Sequence, residues 1–276
     1  MNIKKKKKKP NTAMIWGAVI VGILVFVALF APILAPYDPF KLGIPYIKPC
    51  AEHPLGTNDV GQDLLSELIY GTRVSMFIGI FTALVVTVLA AFLALVAGYY
   101  KGWVDRAVTA LTNVTMGLPS LALTVLLTAY LSPGKLSMII AISLTAWTGT
   151  SRVLRSRVVQ LCEMPFVKIE KAIGMNDFAI MVKHILPNLK DIILSRAALS
   201  VSSAIMMESS LSFLGLGSYK EKSWGLILHY AFYQRGVIRG YYWWYLPPII
   251  CTALAALGFM LLGYYGTQKT EGKKHV

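Results

Sequence analysis

The chain has 276 residues, of which 56% are hydrophobic and only 14% are charged, and it carries a net charge of +14. Soluble domains carry about 25% charged residues, so this composition excludes an ordinary soluble protein and predicts a membrane protein. The positions of the basic residues then decide whether the excess charge indicates nucleic-acid binding or a membrane topology.

The N-terminus begins with an unbroken lysine run, Lys4 to Lys9, directly before an uncharged apolar stretch at residues 14–35. That stretch is long enough to span a bilayer core of about 30 Å. Lysines in front of a span are typical of a cytoplasmic anchor, so no nucleic-acid partner is expected. A cleaved signal peptide is the alternative. The apolar stretch is longer than usual for one, and Pro32 and Pro36 lie where cleavage would occur, so we expect the helix to be retained.

Five further apolar stretches follow along the chain: residues 74–100, 107–131, 136–150, 192–212 and 245–265. With the first stretch they predict an all-α, polytopic membrane protein with about six transmembrane helices. If the N-terminus is inside, most lysines and arginines fall in cytoplasmic segments, as the positive-inside rule requires. A multi-pass protein with both termini in the cytoplasm is therefore expected.

This topology divides the chain into successive segments. The expected boundaries are a basic cytoplasmic N-terminus at 1–13, a first transmembrane helix at 14–35, an extracytoplasmic segment at 36–73, a core transmembrane domain at 74–266 and a cytoplasmic tail at 267–276. Within the core, residues 152–190 form the predicted cytoplasmic loop. Lipid is the expected environment of all the apolar segments.

Residues 163–191 form a polar, charged island between two apolar stretches. Pro165 and Asn176 are helix-start signals, so two short helices are predicted. Gly174 permits a bend between them, and Pro187 is expected to end the second helix.

The island also carries four apolar residues among its charges, namely Phe166, Ile169, Ile173 and Met175. Exposed apolar patches generally mark contacts with other molecules, so we expect a docking surface. The alternative is a solvated loop without a partner, but such a loop gains nothing from so many apolar residues.

Glu208 is the acidic residue most nearly inside a predicted span. Carboxylates within a membrane are functional candidates by default, so a role in a transport pathway is one hypothesis. The other is structural, because Glu208 lies near the predicted outer interface and could satisfy backbone groups where the helix ends at Gly215.

The sequence offers no catalytic or metal site. The three cysteines, Cys50, Cys162 and Cys251, lack any CxxC spacing, and the histidines never approach HExxH. Residues 263–270, GYYGTQKT, approach a phosphate-binding loop, but Gln268 stands where the second glycine is needed. We therefore expect no catalytic residue, no metal and no bound cofactor in this chain.

Four separated segments resemble one family of transport proteins. They are HPLGTNDVGQDLLSELIYGTRVSMFIG at 53–79, EMPFVKIEKAIGMNDFAIMVKHILPNLKD at 163–191, ESSLSFLGLG at 208–217 and SWG at 223–225. In this order they look like the second (C-type) permease of the oligopeptide, dipeptide and nickel family of ABC importers. Asn58 and Gln62 replace the Asp and Arg that are usual in the family's first motif.

The resemblance implies a type I ABC importer permease fold in the plasma (inner) membrane of a prokaryote. It implies four kinds of partner: a second homologous permease, two ATPase subunits that use ATP and Mg, an extracytoplasmic solute-binding protein and membrane lipid. The expected function is to form the pathway for short peptides, not to act as an enzyme. Import of nickel or a metal chelate is the alternative, and an ion-coupled secondary transporter is a more distant one.

In this family the polar island corresponds to the loop that couples the permease to the ATPase. The resemblance therefore assigns coupling to Phe166, Lys168, Ile169, Glu170, Ile173, Gly174, Asp177, His184 and Pro187. Lys168 reverses the charge of the family's usual glutamate. The usual contact then requires either Glu170 as a substitute or a compensating acid on the ATPase. The C-terminal GYYGTQKTEGKKHV also differs from the family's usual tail.

Overall fold

A computed structural model describes residues 12–271, with side chains described to Tyr264. The lysine run Lys4 to Lys9 and the last five residues lie outside the described residues. Within them the chain is helical, and its only β-pairing is an isolated bridge between Thr57 and Asp63. The predicted all-α fold is confirmed.

The helices follow in this order: α1 Thr12–Leu29, α2 Ala31–Leu34, α3 Leu64–Tyr100, α4 Gly102–Gly117, α5 Ser120–Tyr130, α6 Lys135–Cys162, α7 Pro165–Ala172, α8 Asp177–Ile180, a π-helical turn Met181–Ile185, α9 Leu186–Phe213, α10 Trp224–Tyr233 and α11 Tyr242–Glu271. The first predicted span, 14–35, is thus divided into α1 and the short α2. Pro32 lies in the first turn of α2, where its missing N–H is tolerated.

Four helical stretches in the described residues are long and apolar enough to cross a membrane. They are Thr12–Leu29, Leu64–Tyr100, Asp177–Phe213 and Tyr242–Tyr264. The pair α4 and α5 makes a fifth if it is taken as one span, bent by 92°. Pro119 explains the bend, because the residue before a proline avoids the helical region and Leu118 is extended.

The remaining predicted span, residues 136–150, is the first half of α6. Its 28 residues are long enough to cross a bilayer at about 1.5 Å per residue. Buried hydroxyl side chains, among them Thr145 and Thr148, make it less apolar than the other long helices. It packs against α3 and α9, where such polar side chains are shielded from lipid.

α3 lies at the centre of the bundle and packs against α6, α9 and α1. Two of its glycines allow this close approach. A Cβ at Gly79 would collide with Ile205 of α9, and one at Gly98 would lie 2.7 Å from Val158 of α6. Small residues at such contacts let helix backbones approach closely in membranes.

The two ends of α3 meet different structures. At its start lies the cap, defined as residues 35–63 and 214–241, which includes α10. At its end lies the segment of residues 163–185, which includes α7, α8 and the π turn. It is called the docking element after the role that its sequence predicts. The cap and the docking element therefore occupy opposite ends of the bundle.

Candidate functional site: the docking element and the polar groups of the bundle

The docking element begins and bends where its sequence predicts. Pro165 lies in the first turn of α7, and the Asn176 side chain caps α8 by accepting a hydrogen bond from the Phe178 N–H. Between the two helices Gly174 has φ = +82°, a left-handed conformation that glycine adopts without strain. The Met175 N–H then donates to the Glu170 carbonyl at 3.1 Å, which closes the end of α7.

The expectation that Pro187 ends the second short helix is wrong. The helix continues from Asp177 to Phe213 through the π turn Met181–Ile185. A proline lacks an N–H and its ring clashes with the carbonyl four residues earlier. In the π turn a hydrogen bond reaches five residues back instead of four, from the Leu186 N–H to the Met181 carbonyl. This wider turn removes the conflict with the proline ring. The docking element is consequently continuous with membrane helix α9.

One face of the docking element is anchored and the other is exposed. Val167 and Ile180 are buried with Leu161, Ile185 and Leu189, which fix the element to the bundle. The outward face presents Ile169, Ile173 and Phe178, which are 60%, 72% and 67% exposed, together with the less exposed Phe166. Phe166, Ile169 and Ile173 are thus exposed as a docking surface requires, whereas Met175 is half-buried against the bundle. Their contact with a partner stays a prediction. Sequence reasoning missed Phe178, although it follows the predicted cap Asn176.

Lys168 has an acidic partner in its own chain. Its Nζ lies 3.1 Å from Glu163, and Lys101 at the end of α3 bonds the same carboxylate at 2.7 Å. Hydrogen bonds from Lys101 and then Lys168 lower the pKa of Glu163 to about 2. Because all three side chains are half or more exposed, Lys168 also remains accessible to another molecule.

Two other acidic residues of the docking element bind within their own chain, Glu170 inside the element and Asp177 to the bundle. Glu170 lies 3.8 Å from His184, and both side chains are only about a quarter exposed. Asp177 accepts a 2.6 Å hydrogen bond from the Tyr99 hydroxyl near the end of α3. Glu170 is therefore directed toward its own chain, so its use as a substitute ATPase contact stays a prediction.

Glu208 lies within the bundle and is fully buried. Its carboxylate accepts hydrogen bonds from Ser75 of α3 at 2.9 Å and from Ser212 at 2.8 Å. Its partners are serine hydroxyls, so the expectation that it satisfies backbone groups at the helix end is wrong. Gly215 ends that helix instead through its own N–H, which donates to the Ser212 carbonyl. This geometry supports the structural hypothesis for Glu208.

A buried ionic network that the sequence analysis did not find joins the cap to the first turn of α3. Lys222 Nζ donates to Glu67 at 2.5 Å and to Gln62 at 2.7 Å. The Asn58 amide donates to the same two oxygens, at 3.1 and 3.0 Å. The Lys222 and Glu67 side chains are only 9% and 4% exposed. The sequence signal for this network was Asn58 and Gln62, which replace the residues usual in the family's first motif. Their polar side chains surround the ion pair.

Comparison with known proteins places the chain among transport components. Residues 88–265 match the model of the family described as "Binding-protein-dependent transport system inner membrane component". Residues 9–54 match the "N-terminal TM domain of oligopeptide transport permease C". The first match covers more than half of the chain.

Two relatives of known name agree with these family models. The chain is 31% identical to a dipeptide transport system permease protein of Bacillus subtilis, over 94% of this chain and 81% of that protein. It is 30% identical to an oligopeptide transport system permease protein of the same organism, over 76% and 69% of the two chains. A solved chain of a methionine ABC transporter in inward-facing conformations overlays with a TM-score of 0.49 at 17% identity, over 69% of this chain and 97% of that chain.

Proposed function

This chain belongs to the family of binding-protein-dependent transport system inner membrane components, and we propose that it forms, with a second permease, the pathway for short peptides in an ATP-driven importer. A permease of this family is a membrane channel component and not itself a catalyst. Membership of the family also sets aside an ion-coupled secondary transporter.

The observation that carries the peptide proposal is the similarity, over nearly the whole chain, to a permease named for dipeptides. An oligopeptide permease is similar at nearly the same identity, so the length of the peptide is left open. Both names favour a peptide over nickel, the alternative considered from the sequence.

The docking element supports contact with ATPase subunits. It offers exposed Ile169, Ile173 and Phe178 on a rigid base, which suits insertion into a groove of a partner. The positive-inside rule supports a cytoplasmic position for it, because its three lysines lie at the same end of the bundle as Lys101 and Arg155. The cap then faces outward, where a solute-binding protein would deliver its peptide, and both termini are cytoplasmic.

The continuity of the docking element with α9 supplies a means of coupling. Two separate ATPase subunits would bind ATP and Mg, and their closure would move the docking element. Because the helix is unbroken from Asp177 to Phe213, that movement would reach the membrane core as a rigid displacement. A rocking of the paired permeases between inward- and outward-facing states is the expected result.

Reconstitution tests the transport function directly. The chain, a second permease and the ATPases that co-purify with it would be placed in liposomes with the binding protein and a radiolabelled dipeptide. We expect accumulation that requires ATP. Nickel uptake without peptide uptake, or accumulation of peptide without any ATPase, would contradict the proposal.

Substitution on the docking surface tests the ATPase contact separately. The double variant Ile169→Ser/Ile173→Ser is expected to insert normally but to lose co-purifying ATPase, because both side chains are exposed and support no internal packing. Ile238→Ser is the matched control, since Ile238 is 84% exposed in the cap at the opposite end. Equal ATPase recovery from the double variant and the control would refute the assigned docking surface.

A further inference from the structure

A polar cleft of about 390 Å³ opens between α3, α6, α9 and α11. Its polar lining includes Thr82, Thr150, Arg196, Ser200, Ser203 and Tyr264. Thr82 lies on α3 and Thr150 on α6, whereas Arg196, Ser200 and Ser203 lie on one face of α9. The tertiary fold brings these three helices together at the cleft.

The cleft lies within the membrane-spanning part of the bundle. Thr82 stands midway between Leu64 and Tyr100, the two ends of α3. Arg196 lies inside the apolar stretch 192–212, about 6 Å along α9 from its start at about 1.5 Å per residue. An arginine at such a depth is costly toward lipid, so this face must adjoin a water-filled cavity or another protein surface.

The positive charge in the cleft is not balanced by any acidic side chain in the described part of the chain. Among these residues no acid lines the cleft, and Arg196 takes part in none of their ion pairs. The Arg196 Nε is buried and has no hydrogen-bond partner among these residues. A buried donor without a partner is uncommon in native proteins and indicates that something else satisfies it.

Thr82 gives a second, independent indication. Its side chain is fully buried, and its hydroxyl also has no hydrogen-bond partner in the described part of the chain. Across the cleft, the hydroxyls of Thr150 and Ser200 lie 3.4 Å apart. A guanidinium and several hydroxyls around one open space form a set of donors that suits an anion, and a planar carboxylate in particular.

We propose that Arg196, assisted by the hydroxyls of Thr82, Thr150 and Ser200, binds a carboxylate group of the peptide as it crosses the membrane. This inference rests on the proposed function, which supplies a ligand with a terminal carboxylate. A lipid phosphate is the less suitable occupant, because lipid headgroups lie at the interface, whereas Thr82 lies at the middle of α3.

The test compares two versions of one peptide in the reconstituted complex, one with a free carboxylate and one amidated at the C-terminus. Arg196→Gln is expected to reduce uptake of the free-acid peptide about tenfold, from the usual strength of hydrogen bonds to charged groups. Uptake of the amidated peptide should change less than about twofold, since it lacks the charge that Arg196 binds. Arg196→Lys should retain part of the preference, because it keeps the charge without the fork geometry.

Arg106→Gln is the matched control, because Arg106 is exposed on α4 and the substitution changes the net charge equally. An equal loss of both peptides in Arg196→Gln would overturn the inference in favour of a structural ion pair with the second permease. No loss of either peptide would overturn it as well. A wild-type complex that takes up neither peptide would instead refute the proposed function.

A chemical measurement that needs no transport supports or overturns the same inference. In the assembled complex, Ser200→Cys would be labelled with an anionic or a cationic thiol reagent of equal size, and modification of this position followed by mass spectrometry. The anionic reagent should react faster, and Arg196→Gln should abolish that difference. Reaction with neither reagent, or an unchanged difference in Arg196→Gln, would show that the cleft is closed or that Arg196 does not attract anions there.

Discussion

The cap and the docking element use the same kind of ion pair in opposite surroundings. Lys222 of the cap bonds Glu67 at the start of α3 at 2.5 Å, with side chains 9% and 4% exposed. At the docking end, Lys101 and Glu163 bond at 2.7 Å with side chains 50% and 56% exposed. The distances are alike, so burial is the main difference between the two pairs.

Burial determines what each pair can contribute. A buried charge that loses its partner is left without water or a counter-charge, so the cap network holds its residues in one arrangement. An exposed pair is screened by solvent and contributes little to stability. The docking element thus keeps its charged and apolar side chains available to a partner, while the cap fixes the opposite end of α3.

The largest effect is expected when the buried pair loses one member. Lys222→Met leaves Glu67 buried and unpaired, which should lower the free energy of unfolding by about 3–5 kcal/mol. Thermal unfolding in detergent measures this effect. The exposed Lys220→Met is the matched control, and the double variant Glu67→Gln/Lys222→Met should recover most of the stability. A Lys222→Met variant as stable as Lys220→Met would show that the pair does not hold the cap.

Loss of a second buried carboxylate, that of Glu208, should lower stability more than loss of an exposed charge at the docking end, because Glu208 is buried like the pair at the cap. Glu208→Ala leaves the hydroxyls of Ser75 and Ser212 without their acceptor, at a cost of about 1–3 kcal/mol for each unsatisfied group. Glu208→Gln keeps an acceptor oxygen and should lower peptide uptake only modestly. Complete loss of uptake in a stable Glu208→Gln complex would make Glu208 a pathway residue instead.

At the docking end, backbone conformation should matter more than charge. Gly174→Val forces a branched side chain to adopt φ = +82°, with an expected cost of about 1–2 kcal/mol or a local rearrangement of the bend. We expect ATPase-coupled uptake to be lost while membrane insertion is retained. Gly174→Asn is the control, because asparagine tolerates this conformation and a Cβ at this position meets open space. Normal uptake in Gly174→Val would refute a coupling role for the bend.

The smallest effects concern one acid at each end, and their signs should be opposite. Burial raises the pKa of Asp59 in the cap above its ordinary value of 3.8. Its ionisation therefore favours the unfolded state, and the stability present below pH 3.8 is lost as pH rises through the folded pKa. Asp59→Asn should slightly raise the unfolding temperature at pH 7.

Glu163 at the docking end follows the reverse rule. Its folded pKa of about 2 lies below the ordinary 4.5, so its contribution is present above pH 4.5 and is lost as pH falls through about 2. Glu163→Gln should therefore lower the unfolding temperature slightly at pH 7, with an effect that high salt removes. A shift in the same direction for Asp59→Asn and Glu163→Gln would contradict the contrast between the two ends.

Much of the chain could be predicted because the responsible signals are local. The apolar stretches predict helices of membrane length, and Pro165, Gly174 and Asn176 predict the start, bend and second start of the docking element. These residues act on the backbone within a few positions of themselves. The prediction at Pro187 was wrong because the π turn that accommodates the proline depends on its packing against the bundle.

The sequence by itself thus determined an all-α membrane protein, its likeness to importer permeases and the local form of its docking element. Only the tertiary structure decided how its polar residues are used. Lys222 and Glu67 are 155 positions apart, and Glu208 and Ser75 are 133 apart. Arg196 and Thr82 likewise meet in one cleft from different helices. No local pattern specifies such partners, because the packing of helices in three dimensions sets both their separation and their exclusion from water.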